Sequence, residues 1–108
     1  MSFVKVAETS EIPPGKMKMV KLEKSEIMIA NVNGKYYAIG GKCTHFKGDL
    51  SKGTLSGNIV TCPRHGAKFD VTTGKAVAGP KGSTPPKIKD EPSYKVKVEG
   101  KDILVSKA

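Results

Sequence analysis

Both cysteines and both histidines of this 108-residue chain fall in two short segments, Cys43-Thr44-His45 and Cys62-Pro63-Arg64-His65. One thiol and one imidazole in each of two tight segments point to a metal site. Two cysteines by themselves would suggest a disulfide or buried thiols, and the histidines two and three residues away weigh against that. A single zinc ion remains the alternative, giving a zinc-stabilised β-domain that acts as a non-redox interaction module. Zinc knuckles more often pair cysteine with cysteine and histidine with histidine. The mixed segments here favour two metal atoms, because a Cys-x-His segment can touch both irons of a cluster held by two cysteines on one iron and two histidines on the other.

The spacing is Cys-x-His, sixteen residues, then Cys-x-x-His. With it come Gly66-Ala67-Lys68-Phe69-Asp70, the Thr73-Gly74-Lys75 turn, and a proline-rich segment, Gly79-Pro80-Lys81-Gly82-Ser83-Thr84-Pro85-Pro86. On these residues the chain resembles a Rieske-type [2Fe-2S] ferredoxin over nearly its whole length. The resemblance implies a cluster bound by Cys43, His45, Cys62 and His65, with thiolates on the inner iron and imidazoles on the outer. It implies that the proline-rich segment covers the cluster. Gly48 and Gly66 would allow positive φ and close backbone approach, so that main-chain N–H groups could face the cluster sulfurs.

Departures from the family pattern narrow the kind of protein. Respiratory-complex members carry a cysteine three residues after the first histidine ligand and another between the second cysteine and histidine, joined as a disulfide. Here those positions are Gly48 and Arg64, so the pattern is closer to ferredoxins that pass electrons from a flavoprotein reductase to a terminal oxygenase or other redox acceptor. High-potential members place a serine after the His-Gly pair and a tyrosine two residues later, where this chain has Ala67 and Phe69. A second iron site of two histidines and a carboxylate, which an oxygenase needs, has no histidine left to build it. The chain is therefore expected to be an electron carrier and not an enzyme, acting as a monomer.

The elements that must position these loops are short strands. Phe3 to Val6, Met17 to Leu22, Ile27 to Val32, Tyr36 to Ile39, Asn58 to Thr61, Lys68 to Val71, Tyr94 to Val98 and Ile103 to Val105 are β-prone runs between turn residues. Asn33-Gly34 is a two-residue hairpin signal, Glu99-Gly100-Lys101 another turn, and Pro13-Pro14-Gly15 a bend. The expected class is all-β, a sandwich or barrel base with an inserted cluster-binding subdomain over about residues 40–79, within one domain spanning 1–108. The insertion carries little strong hydrophobicity, and its flanking strands should pair with each other.

Composition bounds the function. At 37% hydrophobic and 27% charged the chain reads as one soluble globular domain, and no apolar run approaches a membrane span. The N-terminus has no basic-then-apolar leader, and nothing in the cysteine usage asks for oxidation, so the cytoplasm is the expected compartment. A net charge of +9 raises nucleic acid, yet a single arginine, 6% aromatics and no tryptophan argue against it. Lysine enrichment without glutamine leans toward a thermophilic source. Lys42, Lys47 and Arg64, beside the ligands, are candidates to steer an acidic redox partner. Phe46 is a candidate docking contact, with a loop-covering aromatic the better reading.

Overall fold

A computed structural model describes residues 3–22, 25–42, 49–63, 66–79, 81, 84 and 88–106. The strands are β1 (Phe3–Glu8), β2 (Met17–Leu22), β3 (Ser25–Val32), β4 (Lys35–Gly40), β5 (Thr54–Ser56), β6 (Ile59–Thr61), β7 (Lys68–Asp70), β8 (Ala76–Ala78), β9 (Ser93–Glu99) and β10 (Asp102–Ser106). Two single-turn 3-10 helices, Thr9–Glu11 and Leu50–Lys52, join them, and no α-helix occurs among the described residues. The fold is all-β.

Six strands form one antiparallel sheet in the order β1-β10-β9-β4-β3-β2. Its two edge strands, β1 and β2, approach each other, so the sheet curls toward a barrel. The other four form a meander, β5-β6-β7-β8. β4 pairs with β9 through Ala38↔Tyr94 and Ile39↔Ser93, so everything between them in sequence leaves and rejoins the large sheet at one place.

β3 explains how the two sheets share a core. Its run Ile27-Met28-Ile29-Ala30 is apolar at every position, as expected of a strand buried on both faces. Ile27 and Ile29 pack inside the curled sheet with Ala7, Ile12, Val20, Leu22, Ile103 and Val105. Met28 and Ala30 point the other way, against Leu50, Val60, Cys62, Ala67 and Phe69. Leu50, Val60, Phe69 and Val71, among the few strongly apolar residues of 40–79, are all at most 1% exposed and anchor this second layer. Leu55 and Ile59 are half-buried and Val77 is exposed, but Phe69 alone contributes about 2–3 kcal/mol of burial.

The turns are where their residues place them. Asn33 (φ 53°) and Gly34 (φ 93°) connect β3 to β4 with both central residues left-handed, the turn that matches strand twist. Buried Asn31 fixes the neighbouring loop, donating from Nδ2 to the Ile12 carbonyl (2.8 Å) and accepting from the Gly34 N–H at Oδ1 (2.8 Å). At Pro13-Pro14-Gly15 the Lys16 N–H returns to the Pro13 carbonyl (3.0 Å).

Candidate metal centre

Two loops are closed at their bases by backbone pairing. Lys42 and Asp49 form an antiparallel bridge, and the Leu50 N–H donates to the Gly41 carbonyl (2.9 Å), which holds together the ends of segment 43–48. Asp49 caps the following 3-10 turn, accepting from the Ser51 N–H (2.9 Å) and the Ser51 Oγ (2.5 Å). The second loop is closed more tightly. The Cys62 N–H donates to the Ala67 carbonyl (2.7 Å), and the Gly66 N–H to the Cys62 carbonyl (3.1 Å). Gly66 has φ 79°, a left-handed geometry that its missing Cβ permits. The positive φ is the one expected of Gly66, and its own N–H closes the loop on the Cys62 carbonyl.

The bases of the two loops are in contact. A Cβ on Gly53 would overlap the Thr61 carbonyl and stand 3.2 Å from Pro63 Cδ, so the chain just after the first loop passes close against the entry to the second. The proline-rich segment also approaches, since a Cβ on Gly66 would lie 3.6 Å from the Lys81 nitrogen. Cys62 is 2% exposed, packed with Ala67, Phe69 and Leu50 at the floor of this arrangement. Cys43, His45 and His65 lie outside the described residues, as do Gly48, Phe46, Lys47, Arg64 and Pro80. Lys42 is described, and its ammonium lies 3.7 Å from the Glu26 carboxylate, which offsets the steering charge expected of it.

A turn at the far end of β7 stiffens the sheet beneath the loops. Burial opposes ionisation of Asp70, but hydrogen bonds from the Thr72 side chain and backbone and from Asn58 Nδ2 outweigh it and hold the carboxyl below its usual range. The carboxylate serves this turn and not the metal site.

The Rieske [2Fe-2S] domain family matches residues 2–89. The chain belongs to that family. The biphenyl dioxygenase ferredoxin subunit of Pseudomonas sp. strain KKS102 is 36% identical over 106 residues, covering 97% of this chain and 92% of its own. Among solved structures, the ferredoxin of carbazole 1,9a-dioxygenase from Nocardioides aromaticivorans IC177 superposes with a TM-score of 0.86 and 28% identity over 98% of both chains. A complex of reduced oxygenase and oxidised ferredoxin in carbazole 1,9a-dioxygenase matches at TM-score 0.80 and 30% identity, over 96% of this chain and 92% of that one.

A [2Fe-2S] cluster is the cofactor of this Rieske protein, in place of the zinc ion left open by the residues alone. The described residues fit it. Two closed loops with touching bases each carry one cysteine and one histidine in sequence, and the one of these that is described, Cys62, sits buried among apolar side chains where a thiolate would need a metal's positive charge.

Ala67 and Phe69 are both fully buried beneath the second loop, and neither side chain can donate a hydrogen bond. A donor to a cluster or cysteine sulfur stabilises the reduced state, and since these two positions supply none, a potential low in the Rieske range, on the order of −150 mV, is expected. Ala67→Ser and Phe69→Tyr should each raise it by some tens of millivolts, since about 1 kcal/mol corresponds to roughly 40 mV for one electron. Protein-film voltammetry checks this, and a double variant with no upward shift would remove both positions from control of the potential.

Proposed function

We propose that this Rieske ferredoxin carries single electrons from a flavoprotein reductase to a terminal oxygenase in the cytoplasm. The observation that carries the reading is the match, over nearly the full length of both chains, to the ferredoxin subunit of a dioxygenase. In the same reading the chain is one domain, with residues of about 40–79 as its cluster-binding subdomain. Cys43 and Cys62 hold the inner iron, and His45 and His65 the outer.

When bound, the cluster supplies a centre that gains and loses one electron without bond rearrangement in a substrate. The residues of the chain do the rest. Cys62, buried and backed by Leu50 and Phe69, keeps water from the sulfur side. The Cys62–Ala67 and Cys62–Gly66 backbone bonds fix the second loop, so oxidation and reduction need little reorganisation. His45 and His65, on the outer side, mark where the electron leaves. No described helix is long and apolar enough to cross a membrane.

The test is reconstitution. Purified protein should be red-brown, be reduced by NADH through a dioxygenase-type flavoprotein reductase, and then be reoxidised by a Rieske oxygenase with turnover of its aromatic substrate. A protein that takes up iron and sulfide but exchanges electrons with neither class of partner would contradict the assignment.

A further inference from the structure

Charge divides unevenly between the two sheets. From the end of β4 to residue 89, residues 41–89 carry nine lysines and arginines against two carboxylates, Asp49 and Asp70, whereas the rest of the chain carries ten against eight. Both carboxylates in the basic stretch are taken up by neighbouring hydroxyl, amide and backbone groups, Asp49 by Ser51 and Asp70 by Thr72 and Asn58. On the large sheet three lysines are compensated, Lys5 by Glu8 and Asp102, Lys18 by Glu11 and Lys97 by Glu99, while Lys21, Lys35, Lys95 and Lys101 are exposed without an ion pair but lie away from the two loops. Among the described residues Lys52, Lys68 and Lys81 are exposed and make no ion pair.

These three lysines surround the second loop. Lys52 precedes Gly53, whose backbone abuts Thr61 and Pro63. Lys68 leaves the loop directly, on the outer side of β7 opposite Thr61, with Phe69 turned inward. The Lys81 backbone lies against Gly66. Lys75 is equally exposed but sits at the other end of β7, where its carbonyl accepts from the Asp70 N–H.

We propose that Lys52, Lys68 and Lys81 form a cationic rim around the Cys62–Ala67 loop that docks an acidic face of the protein exchanging electrons with it. The proposal rests on the electron-carrier reading and names the chemistry of the partner's surface. Three uncompensated ammonium groups around an electron exit raise the rate of encounter with an acidic protein and orient it loop-first. A nucleic acid fits less well, with one arginine in the whole chain and 6% aromatic residues.

The probe is cytochrome b5, an acidic haem protein, with basic cytochrome c as its counterpart. One electron passes from the reduced ferredoxin to ferric haem, leaving the ferredoxin oxidised and the haem ferrous. A Lys52→Glu, Lys68→Glu, Lys81→Glu triple variant is compared with an equally charged control, Lys35→Glu, Lys75→Glu, Lys101→Glu, after both are shown to keep the wild-type visible spectrum. Absence of a cluster spectrum in the wild-type protein would instead defeat the underlying reading. At low salt the rim variant should reduce cytochrome b5 about tenfold more slowly, bind it correspondingly more weakly by calorimetry with both proteins oxidised, and reduce cytochrome c faster. These differences should shrink as salt rises. Equal losses in rim and control variants would show that net charge alone acts, and unchanged rates in the rim variant would remove the rim. Unchanged cytochrome b5 rates with lost binding to single-stranded DNA would assign the rim to nucleic acid and overturn the proposal.

Discussion

Alanine at His45 or at His65 should abolish the Rieske spectrum outright, whereas alanine at Lys101, in the turn between β9 and β10, should leave it unchanged. The effect is expected to be all-or-none because, in the proposed ligand set, each imidazole supplies half of the protein's hold on one iron, and methyl offers no donor in its place. The two loops are closed independently, the first by the Lys42–Asp49 bridge and the second by the Cys62–Ala67 bond, so neither can easily bring a substitute ligand across. Iron analysis with visible circular dichroism reads the result. A wild-type spectrum in either variant would remove that histidine from the ligand set.

The largest stability effect away from the ligands is expected at Gly74. It lies in the turn between β7 and β8 with φ 83°, and a Cβ there would overlap the Glu91 carbonyl. Its own carbonyl accepts from the Glu91 N–H (2.7 Å), one residue beyond the point where Asp90 Oδ1 accepts from the Ala76 N–H (2.8 Å). These bonds tie the four-stranded sheet to the segment that enters β9, which in turn accepts the Gly40 N–H at Pro92 (2.9 Å). Gly74→Ala therefore combines left-handed strain with displacement of the tie, at a cost of about 3 kcal/mol. That corresponds to a fall in Tm of roughly 12–24 °C. Gly57→Ala, also at positive φ (59°) but facing open space, isolates the strain alone and should cost about 1 kcal/mol. Equal shifts in the two variants, measured by thermal unfolding, would mean that the approach of Glu91 carries no weight.

What the sequence revealed depended on the length of each element. β2 runs over Met17–Leu22 as expected, and β3, β4, β9 and β10 extend the expected runs by one or two residues at their ends. These strands announce themselves by β-branched and aromatic residues between strong turns, and the pairing of β4 with β9 follows from where the loops fall. β5 (Thr54–Ser56) and β8 (Ala76–Ala78) were not legible. Each is only three residues long, too short for an alternating pattern, and each exists because a neighbouring strand offers it a register: Leu55 opposite Val60, Ala76 opposite Phe69. The proposed metal-binding residues stand out because cysteine and histidine are used nowhere else in the chain. The ion pairs were not, since Lys42 meets Glu26 only through the fold. Likewise the Gly66 N–H has the donor geometry expected of a glycine loop, but its acceptor is a carbonyl that only the closed loop brings near.

The central claim is a two-iron cluster whose irons differ in their ligands, and Mössbauer spectroscopy of the oxidised protein, reconstituted with iron-57, tests it most directly. Two doublets of equal area with distinct isomer shifts are expected, one from an iron held by Cys43 and Cys62 and one from an iron held by His45 and His65, because nitrogen and sulfur donate different electron density to iron. A single doublet from equivalent irons, or a protein that carries zinc and no iron, would contradict the account.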